Sequence, residues 1–196
     1  GYITPHLSRP NLHVKTNTIT TQIIFEGQRA VGVKIKQGNQ VSELKARCEV
    51  IVSAGTFGSP QLLMASGVGP VAELQRHGIP VVQALEGVGK NLQDHIDQVQ
   101  TWRTNNKQDT FGVSATGTVG VTKAIGEWKK NRTGKVTSTF AESGAFFKSS
   151  PELSVPDLQL VFVVGIVDDH SRKMHLGHGF SCHVDVLRPY SRGTVT

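Results

Sequence analysis

The segment Glu49–Pro70 constrains the fold more than any other stretch, because it joins a short apolar strand pattern to a glycine turn and a sharply ended helix. Val50, Ile51 and Val52 form a continuous apolar run, the pattern of a strand covered on both faces. Gly55 and Gly58 allow a tight turn with close backbone approach. Ser59 and Pro60 read as N-cap and first helical residue: the hydroxyl accepts an orphan amide, and proline lacks the amide that would go unpaired. Ser66-Gly67 and Gly69-Pro70 then stop the helix. Strand, glycine turn and helix in this order are the layout of a nucleotide-binding sheet.

A β-meander precedes this segment. Leu12–Thr16, Ile19–Phe25, Ala30–Lys36 and Val41–Ala46 are β-rich runs, separated in part by Glu26-Gly27-Gln28 and Gln37-Gly38-Asn39-Gln40. After it come a second short helix around Val71–His77 and a strand at Ile79–Gln83. Beyond His95 the texture changes. Val99–Arg103, Thr139–Phe147, Leu158–Val164 and Phe180–Leu187 read as longer strands, and Val121, Ile125 and Trp128 recur at helical spacing. Asn105–Gly120 is polar and glycine-rich and reads as a long loop. A run of longer strands with one helix predicts a mostly antiparallel sheet, and the boundary between the two textures falls near Asp94.

Several motifs recur in one order along the chain: Arg9-Pro-Asn-Leu-His-Val14, Arg29-Ala-Val-Gly-Val33, Gly58 with Ser59-Pro60, Leu62-Leu63-Met64 and Ser66-Gly67-Val68-Gly69, then Gly78-Ile-Pro-Val81, Gly87-Val-Gly-Lys-Asn-Leu-Gln-Asp-His95 and Ser191-Arg-Gly-Thr194. Together they resemble the glucose-methanol-choline (GMC) family of FAD-dependent oxidoreductases, and its choline dehydrogenase and aliphatic alcohol dehydrogenase branch in particular. Gly165-Ile-Val-Asp-Asp-His170 and His175-Leu-Gly-His-Gly-Phe180 lean the same way, toward a bacterial dehydrogenase. The resemblance implies an α+β (mixed α/β) fold: residues 1–94 as part of an FAD-binding domain with a β-meander, and 95–196 as part of a mostly antiparallel substrate-binding domain. It implies FAD as cofactor and oxidation of a primary alcohol, choline or an aliphatic alcohol, to the aldehyde by hydride transfer to flavin.

No Gly-x-Gly-x-x-Gly opens the chain, so the loop that cradles the FAD pyrophosphate is expected outside it. The family's catalytic histidine is expected outside it as well, leaving no catalytic residue here. The 196 residues therefore read as an internal, inert piece of a longer enzyme. The resemblance places the protein in the bacterial cytoplasm, peripheral at the inner membrane, and leaves the electron acceptor open, with a membrane quinone chain as candidate. Two rival readings stay open: a non-catalytic ligand-binding or interaction module, and a lyase-type member of the same family.

For the cofactor, the candidates are Ser53, Ala54 and Gly55, where small residues at the carboxyl end of a buried strand leave room for a ligand; a plain strand-to-helix turn explains them equally. Thr20 joins them by resemblance alone, at the position whose main chain meets the adenine edge. For the substrate, Glu142 stands on an otherwise apolar strand, where a carboxylate needs a partner if buried. A trimethylammonium head with ring faces from Phe140, Phe146 or Phe147 is one partner; water or a basic side chain is the other. Asn91 to His95 offers amide, carboxylate and imidazole on a loop, where they more often hold a turn.

Asp168, Asp169, His170, His175 and His178 form the most metal-like set, yet the family's alcohol chemistry uses no metal, and none is expected. Two cysteines, Cys48 and Cys182, read as buried free thiols rather than a bridge. The charge of +6 is scattered, with Lys129-Lys130-Asn131-Arg132 the one cluster, so a solvated helix end accounts for it and no nucleic-acid partner is expected. No apolar run approaches the roughly 20 residues of a membrane span.

Overall fold

The computed structural model describes residues 1–107, 109–167, 173 and 175–196. They form two compact units, one of residues 1–93 with 191–196 and one of residues 94–190. The chain thus leaves the first unit beside Asp94, and its last six residues return to that unit rather than staying with the second, to which the sequence reading assigned them.

In the first unit, β1 (Ile19–Glu26), β2 (Arg29–Gln37) and β3 (Gln40–Lys45) build a three-stranded antiparallel meander. Each connection is a two-residue loop. Gly27 (φ +59°) and Gly38 (φ +57°) occupy the first loop position, where a tight hairpin turn asks for positive φ. Ile23 and Ile35 are buried and alternate with wetter neighbours, so one face carries the core. Leu12–Thr16 forms no strand; Leu12 closes a turn onto the Arg9 carbonyl (3.1 Å) instead.

Helix α1 (Gly55–Ala65) begins four residues before Ser59. The reason is that Gly55, at φ +83°, makes the turn itself, while the Ser59 hydroxyl reaches back to accept the Ala54 amide (3.0 Å). Ser59 is therefore not the N-cap, and Pro60 lies inside the helix, where the carbonyl four residues earlier loses its usual donor. Nor does Val50–Ser53 become a strand. A strand exists only through hydrogen bonds to a neighbour, and among the described residues nothing pairs with this segment, which leaves Ile51 77% exposed.

Side-chain hydrogen bonds hold the end of α1 against the meander. Ser66, 3% exposed, accepts the Ile23 amide through its hydroxyl (2.8 Å) and donates to the Leu62 carbonyl (2.6 Å), tying helix to meander. Gly67 follows at φ +86°, and a Cβ there would sit 2.5 Å from the Pro80 carbonyl oxygen, so only glycine fits. Then β4 (Val68–Gly69), α2 (Val71–Arg76) and β5 (Gln83–Ala84) make a small parallel crossover, with Leu74 of α2 fully packed. The strand expected at Ile79–Gln83 begins only at its last residue, since the pairing with Val68 and Gly69 starts at Gln83 and runs to Ala84. The returning segment 191–196 pairs with residues 89–92: Leu92 and Gly193 exchange both backbone bonds (3.0 and 2.7 Å), and Val195 donates to Gly89 (2.7 Å).

The second unit is a four-stranded antiparallel path, β6 (Asp97–Arg103), β10 (Gly177–Val186), β9 (Leu158–Val163) and β8 (Ala141–Phe147), with β7 (Gly112–Val113) pairing the start of β10. The expected long loop at Asn105–Gly120 instead contains β7 and the opening of α3 (Ala115–Asn131). Ser114 explains that helix start: its hydroxyl accepts the Gly117 amide (2.9 Å) as an N-cap. Ser181, fully buried on β10, donates to the Gly165 carbonyl and accepts the Val167 amide, both at 2.8 Å. Trp102, Phe180 and Phe162 stack across β6, β10 and β9, with ring centroids 5.3 and 5.4 Å apart. Both cysteines are free, but Cys48 is exposed rather than buried, and Cys182 is half-buried.

Ser66→Ala strands the Ile23 amide in the core, so it is expected to destabilise the first unit by about 1–3 kcal/mol, read from urea denaturation. Asp157, which accepts from the Ser149 amide and hydroxyl (2.7 Å each), is held below the ordinary aspartate pKa by those bonds, with the Arg188 charge adding to them. Its folded value is depressed, so the link it makes between β8 and β9 is fully present above the unfolded pKa of about 3.9. It is lost as pH falls through the lower folded value. Ser149→Ala is expected to move the Asp157 carboxyl titration upward toward the ordinary value in an NMR pH series.

Candidate functional site

The first unit carries an open groove of about 810 Å³ between the start of β1 and the unpaired segment leading into α1. Its walls include Thr18, Thr20 and Thr21 on one side, and Val50 to Ala54 with Gln61 and Leu62 on the other. Three features of the sequence place these residues together. A register shift between Thr20 and Gln22 kinks β1 at Thr21, whose hydroxyl donates to the Lys34 carbonyl (3.3 Å). The Ser59 hydroxyl fixes the Ala54 amide at the groove's end. Ser66 holds α1 against β1 from below.

Of the four candidate cofactor residues, Thr20, Ser53 and Ala54 line this one groove, although 33 residues separate Thr20 from Ser53 in the chain. Gly55 follows Ala54 as the first residue of α1 and is not part of the lining. No charged side chain lines the groove. Its volume lies within the roughly 300–1,000 Å³ of small-molecule sites, and its uncharged walls, aliphatic with threonine and serine hydroxyls, suit an uncharged heterocycle and sugar rather than a phosphate group.

In the second unit, Glu142 sits on β8, all of which is exposed. The pairing of β8 with β9 steps from Ala141 to Ser143, so Glu142 is the extra residue of a β-bulge, a device that re-aims a side chain. Its Oε1 accepts from the Ser138 hydroxyl (2.6 Å), and Ser138 also accepts the Phe140 amide (3.0 Å). Phe140 has φ +66°, costly for a bulky residue, and its ring packs 4.3 Å from that of Phe111. An apolar cavity of about 510 Å³ lies beside this pair, with Val113, Val121 and Ile166 among its walls. Sequence reasoning singled out Glu142 but missed the bulge, whose signal is a pairing offset that no single strand displays.

Of the histidines in the metal-like set, His178 has a structural role. His178, 5% exposed, lies 2.8 Å through Nε2 from the Ser114 hydroxyl and 3.3 Å through Nδ1 from the Thr110 carbonyl. Because that carbonyl can only accept, Nδ1 carries the proton and Nε2 accepts from Ser114. His178 thus braces the α3 cap. Asp168, Asp169 and His170 lie outside the described residues, and among the described residues no three His, Cys, Asp or Glu side chains gather for a metal. At Asn91–His95 the side-chain hydrogen bonds are local, Gln93 donating to the Asn91 carbonyl (3.5 Å) and the His95 amide to the Asp94 carboxylate (3.0 Å), while the backbone of Leu92 pairs with Gly193. One pair escaped the sequence reading: His183 Nδ1 of β10 lies 2.7 Å from Asp97 Oδ2 of β6, and its buried Nε2 has no partner among the described residues.

Residues 1–97, which contain the whole groove, match the model of the GMC oxidoreductases. This stretch belongs to the GMC oxidoreductase family. The likeness continues through the second unit. An alcohol dehydrogenase (acceptor) of Pseudomonas putida is 42% identical over 194 residues, 96% of this chain and 34% of that protein. An oxygen-dependent choline dehydrogenase of Brucella anthropi is 39% identical over 202 residues, 100% of this chain and 35% of that protein. Among solved structures, a formate oxidase of Aspergillus oryzae, studied for its FAD modification, is 25% identical with a TM-score of 0.81, covering 94% of this chain and 37% of that one. The chain spans about a third of the length of the curated relatives it matches.

Proposed function

We propose that the protein carrying this chain is an FAD-dependent oxidoreductase that oxidises a primary alcohol, choline or an aliphatic alcohol, to the aldehyde. The uncharged groove that gathers Thr20, Ser53 and Ala54 inside the family-matched segment carries the proposal. These residues and Gly55 hold the adenosine portion of FAD, contributing small side chains and backbone rather than charge. FAD, when bound, supplies the acceptor for the hydride that leaves the alcohol carbon. The second unit provides a wall of the alcohol site, and the bulge at Glu142 presents a carboxylate that a cationic head group can meet in water-accessible surroundings. Electrons pass onward to an acceptor at the inner membrane, with the protein cytoplasmic and peripheral to that membrane. The names of the two relatives, one acceptor-linked and one oxygen-dependent, support a redox role with a variable final acceptor.

The protein carrying this chain is expected to purify with flavin absorption, and Ala54→Trp, an exposed position on the groove wall, is expected to lower the FAD bound per protein without loss of fold by circular dichroism. A colourless product for the unsubstituted protein overturns the proposal. If choline is the substrate, Glu142→Gln raises KM for choline by about tenfold, equivalent to ~1.4 kcal/mol, and leaves KM for an uncharged alcohol in place. Equal effects on both substrates remove Glu142 from head-group recognition.

A further inference from the structure

Ser53 and Ala54 end the segment that walls the groove of the first unit, and both are exposed. The peptide joining them is fixed by a side chain outside the groove. Its N–H, that of Ala54, donates to the Ser59 hydroxyl (3.0 Å), and Ser59 is not part of the groove lining. The chain has no cis peptide, so the carbonyl of this unit lies opposite its N–H. The Ser53 carbonyl therefore points away from Ser59, on exposed backbone at the end of the groove, and no donor among the described residues meets it. Gly58 lets Ala54 lie this close to α1, since a Cβ there would stand 3.1 Å from the Ala54 Cβ. A polar group of fixed direction at this end of the groove is thus an acceptor.

We infer that the Ser53 carbonyl accepts a hydrogen bond from the adenosine portion of FAD, and that Ser59 is the positioning residue that aims it. The ligand group it takes is an N–H or O–H donor: the exocyclic amine of adenine or a ribose hydroxyl. Both are uncharged, as a groove without charged walls requires. Without the Ser59 hydroxyl the Ala54 amide is released to find water or ligand, and the Ser53 carbonyl turns with it because the peptide is planar. The ligand then meets a donor where it needs an acceptor. A phosphate is the group this arrangement turns away, since the Ala54 amide that it would bind is already engaged. The inference rests on the cofactor of the proposed function and adds to it the direction of one hydrogen bond and the side chain that sets it.

The test takes the protein carrying this chain, strips it of flavin and titrates it with three ligands, binding being read from flavin fluorescence. They are FAD, FAD with hypoxanthine in place of adenine, and FAD whose adenosine ribose lacks both hydroxyls. In the unsubstituted protein at least one analogue is expected to bind about fivefold more weakly than FAD, and the one that does so names the donor. Ser59→Ala is expected to bind FAD about fivefold more weakly and to lose that discrimination. Ser59 borders a second cavity of about 430 Å³, which leaves room for the methyl of Ser59→Thr. That variant restores both properties, and Ser59→Val, of the same shape without the hydroxyl, does not. A role in helix stability alone weakens all three ligands by one factor and leaves the discrimination as it was. An unsubstituted protein that binds both analogues as tightly as FAD overturns the inference before any variant is made. So do equal analogue penalties in Ser59→Ala and the unsubstituted protein, or a Ser59→Val that behaves like Ser59→Thr. A protein that takes up no FAD removes the proposed function as well, whereas unaltered discrimination in a protein that binds FAD removes this inference alone.

Discussion

The hydroxyl of Ser66 sets the geometry on which the groove of the first unit depends. Buried among apolar residues, it takes the one meander amide that α1 would otherwise cover and returns its own proton to the last turn of that helix. Both groove walls are anchored by this link: Thr18 to Thr21 open the strand that contains Ile23, and Gln61, Leu62 and Ala65 belong to the helix that ends at Ser66. A side chain of two heavy atoms thereby fixes the gap between elements more than 40 residues apart. Apolar packing alone would hold the helix on the sheet but would not fix its depth, since burial energy is non-directional whereas the hydrogen bond has a length.

The second unit solves the same problem with Ser181, whose bonds to Gly165 and Val167 pin the chain as it leaves β9. In each unit, then, a buried serine and not a charged pair fixes the irregular segment beside the sheet. This agrees with the electrostatics. Glu73 pairs with Arg76 and His77, both more than half exposed, and such pairs contribute little to stability, while the less exposed pair His183–Asp97 joins two neighbouring strands of the sheet rather than an irregular segment.

Local chemistry made much of this legible in the sequence. The meander strands are framed by Gly27 and Gly38, and β1 and β2 bury Ile23 and Ile35 among more exposed neighbours, so β1 to β3 follow from pattern and turn residues together although β3 is exposed throughout. Strands β6, β8, β9 and β10 are six to ten residues long, and each carries at least two β-branched or aromatic residues. Val50–Ser53 has the same apolar signature but remains unpaired, because composition reports burial and says nothing of whether a neighbouring strand is present. The start of α3 was obscured by Gly112, Gly117 and Gly120, which read as loop, although Ser114 caps the helix by a spacing visible in hindsight. For the groove, Ser53 to Gly55 were legible from residue size, whereas Thr20 came only through resemblance: a threonine in a strand has no local sign that it faces a cavity. His178 looked like a ligand because of its company, and it is the buried brace of a helix cap.

The return of residues 191–196 to the first unit makes residues 94–190 an insertion between two paired segments. The bonds joining Gly89 and Leu92 to Val195 and Gly193 close a loop of about 100 residues. While the insertion is folded, its ends are fixed and that closure is free of further entropy loss. Once it melts, the same few bonds must tether a long random coil, at a cost that grows with the logarithm of its length. The pairing of residues 191–196 with residues 89–92 is thus thermodynamically subordinate to the second unit, and heat or denaturant that loosens the inserted sheet will weaken that pairing as well.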